Sequence, residues 1–299
     1  MGHLGINVYL WAERDRDLFI VDCLGPVARV LLQEGAADWF WFDRFDTRGP
    51  HVFALFGIRS DRIVEHLRNT LIGYLAARPS TSQLEPEDLA RRHEGCRGIA
   101  LCAADRLPGM AENNTFEIFD HNATAYPFFL GSCRTEVEEL WRILNDSAFW
   151  VIDQLAAYPD AAVRTAVAWI ASIDHQLRLA GADAEDYWHY HLITLVHSFK
   201  SRLNASDALV VSGVEKAIGE RNRRLFSAAW GKVEEIGPCW KTLPRLVEIA
   251  LAGRDADPRG PWMLQREIDH FTLKQLGLSH QLHIPLILFA WHRSLSLQS

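Results

Sequence analysis

The densest run of chemically capable side chains lies between residues 187 and 197. At about 100° per residue, Tyr187, Tyr190, His191, Thr194 and His197 share one side of a helix expected over Ala184–Leu203. Trp188, Leu192, Leu195, Val196 and Phe199 share the other. A helix side that faces water normally carries Lys and Glu, and neither occurs from Tyr187 to Ser198. Uncharged hydroxyls and imidazoles exchange protons and hydrogen-bond carbonyl oxygens, so this side suits the wall of a reaction cavity. A second buried interface with satisfied hydroxyls and imidazoles is the other reading. A metal is not favoured, because His191 and His197 lack the i, i+4 spacing of helical zinc ligands.

Other candidates are scattered. His51 closes a turn, Gly49-Pro50-His51, from which it projects either into a site or into water. Tyr126 sits in an aromatic patch and either donates to a developing oxyanion or packs. Ser147 borders the apolar stripe of a helix, where its hydroxyl bonds either a substrate or the carbonyl four residues back. His280 and His283 precede Pro285 at the start of the last helix, which is weak evidence for a metal. Arg221, Arg223 and Arg224 lie in the one dense basic cluster, either a solvated helix face or a holder of an acidic peptide. No phosphate-binding glycine loop, nucleophile elbow or H-E-x-x-H pair occurs.

These groups need elements to position them. Ile6–Leu10 reads as a short strand, and a helix is expected to start at Gly25-Pro26, with Pro26 in its first turn. Trp39–Phe45 and His51–Ile58 read as a hairpin around Asp46–Pro50. A helix capped by Ser60 runs to Ala77. A short helix follows at Pro86–His93, and Phe116–Phe129 is a second β-rich stretch. From Thr135 the pattern is helical: Ala161–Leu179, Ala184–Leu203, Ser206–Glu235, Leu243–Ala252, Trp262–Leu276 and Ser279–Leu295. Strands first and helices after predict an α+β fold, with an N-terminal mixed sheet and flanking helices before a mostly helical C-terminal half. The composition break places a sheet-rich part at residues 1–133 and a helical part at 134–299, as one integrated unit.

Composition narrows the function. With 299 residues and 48% hydrophobic side chains the chain has ample core material. A net charge of −7 argues against nucleic acid as a partner. Five cysteines without a CxxC pair argue against structural zinc and disulfides, and fit a reducing cytoplasm. The first residues lack the apolar segment of a signal peptide, and no stretch is long and apolar enough to span a membrane. Eleven tryptophans exceed what a core of this size requires, and some suit a peptide groove.

Three stretches in order resemble one family. Trp39-Phe40-Trp41-Phe42-Asp43-Arg44-Phe45-Asp46-Thr47-Arg48-Gly49-Pro50-His51 is similar to the hairpin of the lanthipeptide dehydratase elimination domains and the small thiopeptide biosynthesis proteins related to them. Leu140–Ala148, with Asn145-Asp146-Ser147, is similar to that family's L-F-x-x-D-S helix, after an aromatic segment at Tyr126–Gly131. Leu286–Leu295 takes the place of its terminal helix. Eliminating members carry arginines after the Gly-Pro-His turn, which bind glutamyl carboxylates. Here His51-Val52-Phe53-Ala54-Leu55-Phe56 has none, and Leu288 stands where the family has a histidine.

The resemblance, read with these departures, points to the stand-alone pyridine synthases of thiopeptide biosynthesis. It implies a cofactor-independent cyclase that joins two dehydroalanines by a formal aza-[4+2] cycloaddition and releases water and the leader peptide. The implied partner is a dehydrated, azole-containing precursor peptide with its leader; other enzymes of the pathway are further candidates. Two alternatives remain: glutamate elimination, with Arg44 or Arg293 supplying the missing charge, and a non-catalytic leader-binding scaffold. On the cyclase reading His51, Tyr126, Ser147, Tyr187, Tyr190, His191, Thr194 and His197 are the catalytic candidates. Arg221, Arg223 and Arg224 are those for the leader.

Overall fold

The computed structural model describes residues 2–45, 48–59, 62–83, 111–120, 137–157, 162–203 and 280–296, with isolated positions between 223 and 248 and Leu276. The expected cap Ser60 and the expected helix at Pro86–His93 lie outside the described residues, as does the aromatic stretch beyond Asp120. So does the expected helix at Trp262–Leu276, save for Leu276 itself. The chain divides into two compact units.

The first unit is built on a four-stranded sheet in the order β2-β3-β1-β4. Its strands are β1 (Gly2–Tyr9), β2 (Ala37–Phe45), β3 (His51–Ile58) and β4 (Thr115–Asp120), and all three pairings are antiparallel. β2 and β3 form the expected hairpin, with Phe45 opposite His51. β1 then sits between β3 and β4, with Tyr9 opposite both His51 and Thr115. Nearly every residue of β2 and β3 is buried, so both faces of these strands are covered. That accounts for the aromatic and apolar runs Trp39–Phe42 and Val52–Phe56.

One face, carrying Leu4, Ile6, Val8, Phe40, Phe42 and Phe56, is apolar and buried. Helix α4 (Val137–Ala157) packs against β2, with Phe149 set 5.5 Å from the Phe40 ring. Asn145 of α4 accepts from the Phe40 amide at 2.9 Å, which satisfies a backbone donor on the outer edge of β2. Arg29 ties α4 to the preceding helices through Asp153 at 2.5 Å and lies over the Phe149 ring. Helix α3 (Arg62–Ala77) contributes Tyr74, whose ring meets Phe19 edge-on.

The helix expected to start at Gly25-Pro26 is longer. α2 (Gly25–Gln33) does begin there, but α1 (Glu13–Phe19) and a π-helical turn (Ile20–Leu24) precede it without a break. In the widened turn the Gly25 amide reaches back five residues to the Ile20 carbonyl. This geometry accommodates Pro26, which has no N–H and whose ring would press on the preceding turn of a regular helix. Gly25 is required by packing: a Cβ there would lie 2.8 Å from Ile152 of α4.

The second unit holds α5 (Ala162–Leu179), α6 (Ala184–Leu203) and α7 (His280–Ser296). Buried Asp174 of α5 ties the three together. It accepts from Trp188 Nε1 at 2.8 Å, from Ser294 Oγ at 3.0 Å and from Arg178 Nε at 3.0 Å. Three donors offset the cost of burying a carboxylate, one of them charged. Pro285 falls inside α7, one turn later than its expected place at the helix start. Among the described residues no helix is long and apolar enough to cross a membrane.

Candidate active site

The two faces of the sheet differ in chemistry. The face away from Phe40 and Phe56 carries Asn7 and Tyr9 from β1, Trp39, Trp41 and Asp43 from β2, His51, Phe53 and Leu55 from β3, and Glu117 and Phe119 from β4, by strand register. Two of its glycines lie beneath aromatic rings. A Cβ on Gly57 would sit 2.5 Å from the Trp39 indole, and one on Gly5 would sit 2.5 Å from the Phe119 ring.

At the end of this face near the Gly49-Pro50-His51 turn, polar groups converge on Glu117. Arg48 Nη1 donates to both its carboxylate oxygens, at 2.8 and 3.0 Å. The Tyr9 hydroxyl donates at 3.1 Å and Asn7 Nδ2 at 3.4 Å. Burial pushes the Glu117 carboxyl up, but the bonds from Arg48, Asn7 and Tyr9 and the charge of Arg48 outweigh it, and the group stays below its usual range. Burial first, and then the Glu117 charge, push the Tyr9 phenol up to about 12. The site therefore holds a carboxylate beside a phenol that keeps its proton.

His51 belongs to the same end. It is buried, its ring centroid lies 4.9 Å from that of Tyr9, and Nδ1 lies 2.8 Å from the Gly49 carbonyl oxygen. A carbonyl oxygen only accepts, so Nδ1 carries a proton in this bond. The turn that delivers His51 is unusual in backbone: Arg48 has φ +60° and Gly49 has φ +115°. A non-glycine residue in the left-handed region is held there by its surroundings. The Arg48 carbonyl accepts from the Ala111 amide at 2.7 Å, and the side chain is anchored on Glu117. A second left-handed residue, Asn114 at φ +62°, donates its amide to the Tyr9 carbonyl at 2.9 Å. Asn113 accepts from the Trp11 amide at 3.1 Å and donates to the Ser80 and Ser82 carbonyls.

Of the residues singled out from sequence, His51 is the one that the described residues of the first unit bring to this cluster. Tyr126 and Arg221 lie outside the described residues, as do the side chains of Ser147, Thr194 and His197. Tyr187 and His191 are buried in the second unit with Trp188, whose ring centroid lies 4.5 Å from that of Tyr187. Tyr190 is 46% exposed, and His189 stacks on Trp291 at 5.0 Å. The polar side expected on this helix is therefore divided between core and surface. Arg223 and Arg224 are exposed. Sequence reasoning missed Asn7, Tyr9, Arg48 and Glu117. The signal for Asn7, Tyr9 and Glu117 was Asn7 and Tyr9 alternating with apolar Ile6 and Val8, and a carboxylate within an aromatic strand, meaningful only once β1 is paired with β3 and β4.

The described residues hold no cluster of three or more His, Cys, Asp or Glu able to bind a metal ion. What the cluster offers is a proton donor, a proton acceptor and a guanidinium held by a carboxylate, set in an aromatic face. Such groups can move protons and hold carbonyl oxygens.

No family model and no curated protein sequence matches the chain. Solved structures do. The pyridine synthase TbtD from thiomuracin biosynthesis is similar with a TM-score of 0.65 at 16% identity, over 99% of this chain and 98% of that one. TsrL is similar with a TM-score of 0.57 at 12% identity, over 98% and 95%. The tRNA-dependent lantibiotic dehydratase MibB from Microbispora sp. 107891 is similar with a TM-score of 0.52 at 16% identity, over 99% of this chain. The chain spans 28% of the length of that dehydratase. At these identities the likeness is one of fold, shared over almost the whole of this chain.

Proposed function

We propose that this chain closes the six-membered nitrogen ring of a thiopeptide, by joining two dehydroalanines of one leader-bearing peptide. One observation carries the choice of chemistry. Phe53 and Leu55 stand on β3 where eliminating relatives are expected to carry arginines, on the same face as His51, and both are buried. A glutamyl ester bound along this strip would bury its carboxylate against a phenyl ring and an isobutyl group, at a cost that neither of these side chains offsets. A dehydrated peptide brings no such charge. The shared fold with a pyridine synthase supports the same reading.

Arg44, one of the arginines that could rescue elimination, is not placed to do so. Arg44 lies on the opposite face of the sheet, paired with Asp17 at 2.5 Å. Arg293 is exposed on α7 of the second unit.

The reaction needs position more than power. Holding two ends of one peptide in reacting geometry contributes on the order of 7–11 kcal/mol. The amide on the nitrogen of one dehydroalanine must tautomerise to its iminol, two carbon–carbon bonds to the other dehydroalanine close the ring, the iminol hydroxyl leaves as water, and the leader leaves as an amide. Each step moves a proton and none creates lasting charge. In this reading His51 accepts a proton at Nε2, and the Tyr9 hydroxyl donates to the departing oxygen. Phe45, half-buried beside His51 and backed by Phe53, packs against a heterocycle of the substrate.

The test is incubation of the chain with a leader-bearing peptide that carries two dehydroalanines. Mass spectrometry should find a macrocycle lighter by one water and the leader, and the leader as its C-terminal amide. A peptide recovered unchanged, although shown to bind, would remove the proposal.

A further inference from the structure

Arg48 is the one arginine that the turn itself brings to the His51 and Tyr9 end of the face. Among the described residues its hydrogen bonds run through Nη1 alone, both to Glu117, while Nε has no partner. Its side chain keeps 32% of its surface and that of Glu117 keeps 39%, so the pair is open to a ligand. Tyr9 and Asn7 fix Glu117 from the other side, and the Arg48 guanidinium lies 5.8 Å from the Tyr9 ring. Arg48 holds a left-handed backbone to reach this place.

The charges decide what such a site can take. Arg48 and Glu117 cancel, so a neutral oxygen gains a guanidinium N–H without meeting net repulsion. A free carboxylate at the same N–H groups meets the Glu117 charge within a few ångströms, a repulsion that water at the half-exposed pair reduces but does not abolish. We propose that Arg48, clamped by Glu117, is a substrate-binding site selective for neutral peptide carbonyl oxygens over carboxylates. Arg48 touches the substrate and Glu117 is the positioning residue. This deepens the cyclisation reading, on which it rests for the choice of a peptide ligand. It gives a second, independent reason why a glutamylated peptide is refused.

The experiment compares two leader-free peptides of one sequence, one with dehydroalanines and one with glutamyl esters at the same positions. Calorimetric titration of the wild type should show tighter binding of the dehydrated peptide. Arg48→Gln should weaken that binding by roughly 10- to 100-fold, as for loss of a hydrogen bond from a charged group. Glu117→Gln should act on the preference, strengthening the glutamylated peptide relative to the dehydrated one, because it leaves the Arg48 charge uncancelled. Glu117→Asp should restore the wild-type order. A merely structural role for the pair would lower both affinities together. If Arg48→Gln fails to fold, the ratio measured in Glu117→Gln still decides.

Binding of the dehydrated peptide by Arg48→Gln within about twofold of wild type overturns the proposal, against the larger loss expected for a charged hydrogen bond. So does an unchanged preference in Glu117→Gln, or no binding of the dehydrated peptide by the wild type. Because all of this is read without turnover, failure of cyclisation is a separate result and leaves the charge preference standing or falling on its own.

Discussion

Tyr9 and His51 carry the proton chemistry of the account. Tyr9→Phe keeps the ring and removes the one hydroxyl that donates to Glu117 at the sheet end, so turnover should fall by about 10²-fold while peptide affinity changes little. Steady-state kinetics separates the two; a change confined to KM would contradict the assignment. The same residue predicts an alkaline weakness. The folded pKa of Tyr9 is about 12 against an ordinary 10.0, and burial raises Cys23 to about 12 from 9.0. Raised acids bind their protons more tightly when folded. Their contribution is complete below pH 9 and is lost as pH climbs from 9 towards 12. Urea midpoints should drop over that interval, and Cys23→Ala should flatten the drop; a midpoint constant up to about pH 11 would contradict the shifts. His51 was legible because a turn motif pointed at it. Tyr9, Asn7 and Glu117 were not, because Tyr9 and Glu117 are 108 residues apart and meet only through the antiparallel register of β1 with β4.

At the scale of elements, local pattern read the hairpin and the long helices well. β3 runs over His51–Ile58 and α6 over Ala184–Leu203, as expected from turn chemistry and spacing. The content of α6 was less legible. A helical wheel separates Tyr187 and His191 from Trp188, but the buried arc takes in all three, since aromatic and imidazole rings bury their bodies readily. His191→Ala should therefore lower the melting temperature as well as turnover. Melting unchanged with turnover lost would restore the view of His191 as a wall of the site. The sheet gives a sharper expectation. Gly57→Ala forces a methyl into the Trp39 indole and should cost about 1–3 kcal/mol in denaturant unfolding. Gly73→Ala on α3, which meets nothing within 4 Å, should be neutral or stabilising. On the helical side, Arg223 and Arg224 are exposed, as a leader-binding face requires. Reversal of Arg221, Arg223 and Arg224 to Glu should weaken leader binding in a salt-dependent way, with no single arginine dominant. Equal leader affinity in the reversed variant would remove that face from the account.

At the scale of the molecule, the order of strands and helices read the α+β architecture correctly, and composition excluded little beyond it. The proposed choice among activities rests on two buried apolar side chains, Phe53 and Leu55, on a face whose charged groups among the described residues are the paired Arg48 and Glu117 and the buried Asp43. A whole-molecule fold shared with both a pyridine synthase and a dehydratase does not make that choice, and the proposal takes it from the face. The most direct measurement is a competition in one vessel. The chain is given equal amounts of a leader-bearing peptide with two dehydroalanines and of the same peptide with glutamyl esters at those positions. Both are followed by mass. The account predicts that the dehydrated peptide is converted to a macrocycle with release of water and leader amide, while the glutamylated peptide is recovered intact. Loss of glutamate from the second peptide, with the first unchanged, would contradict it.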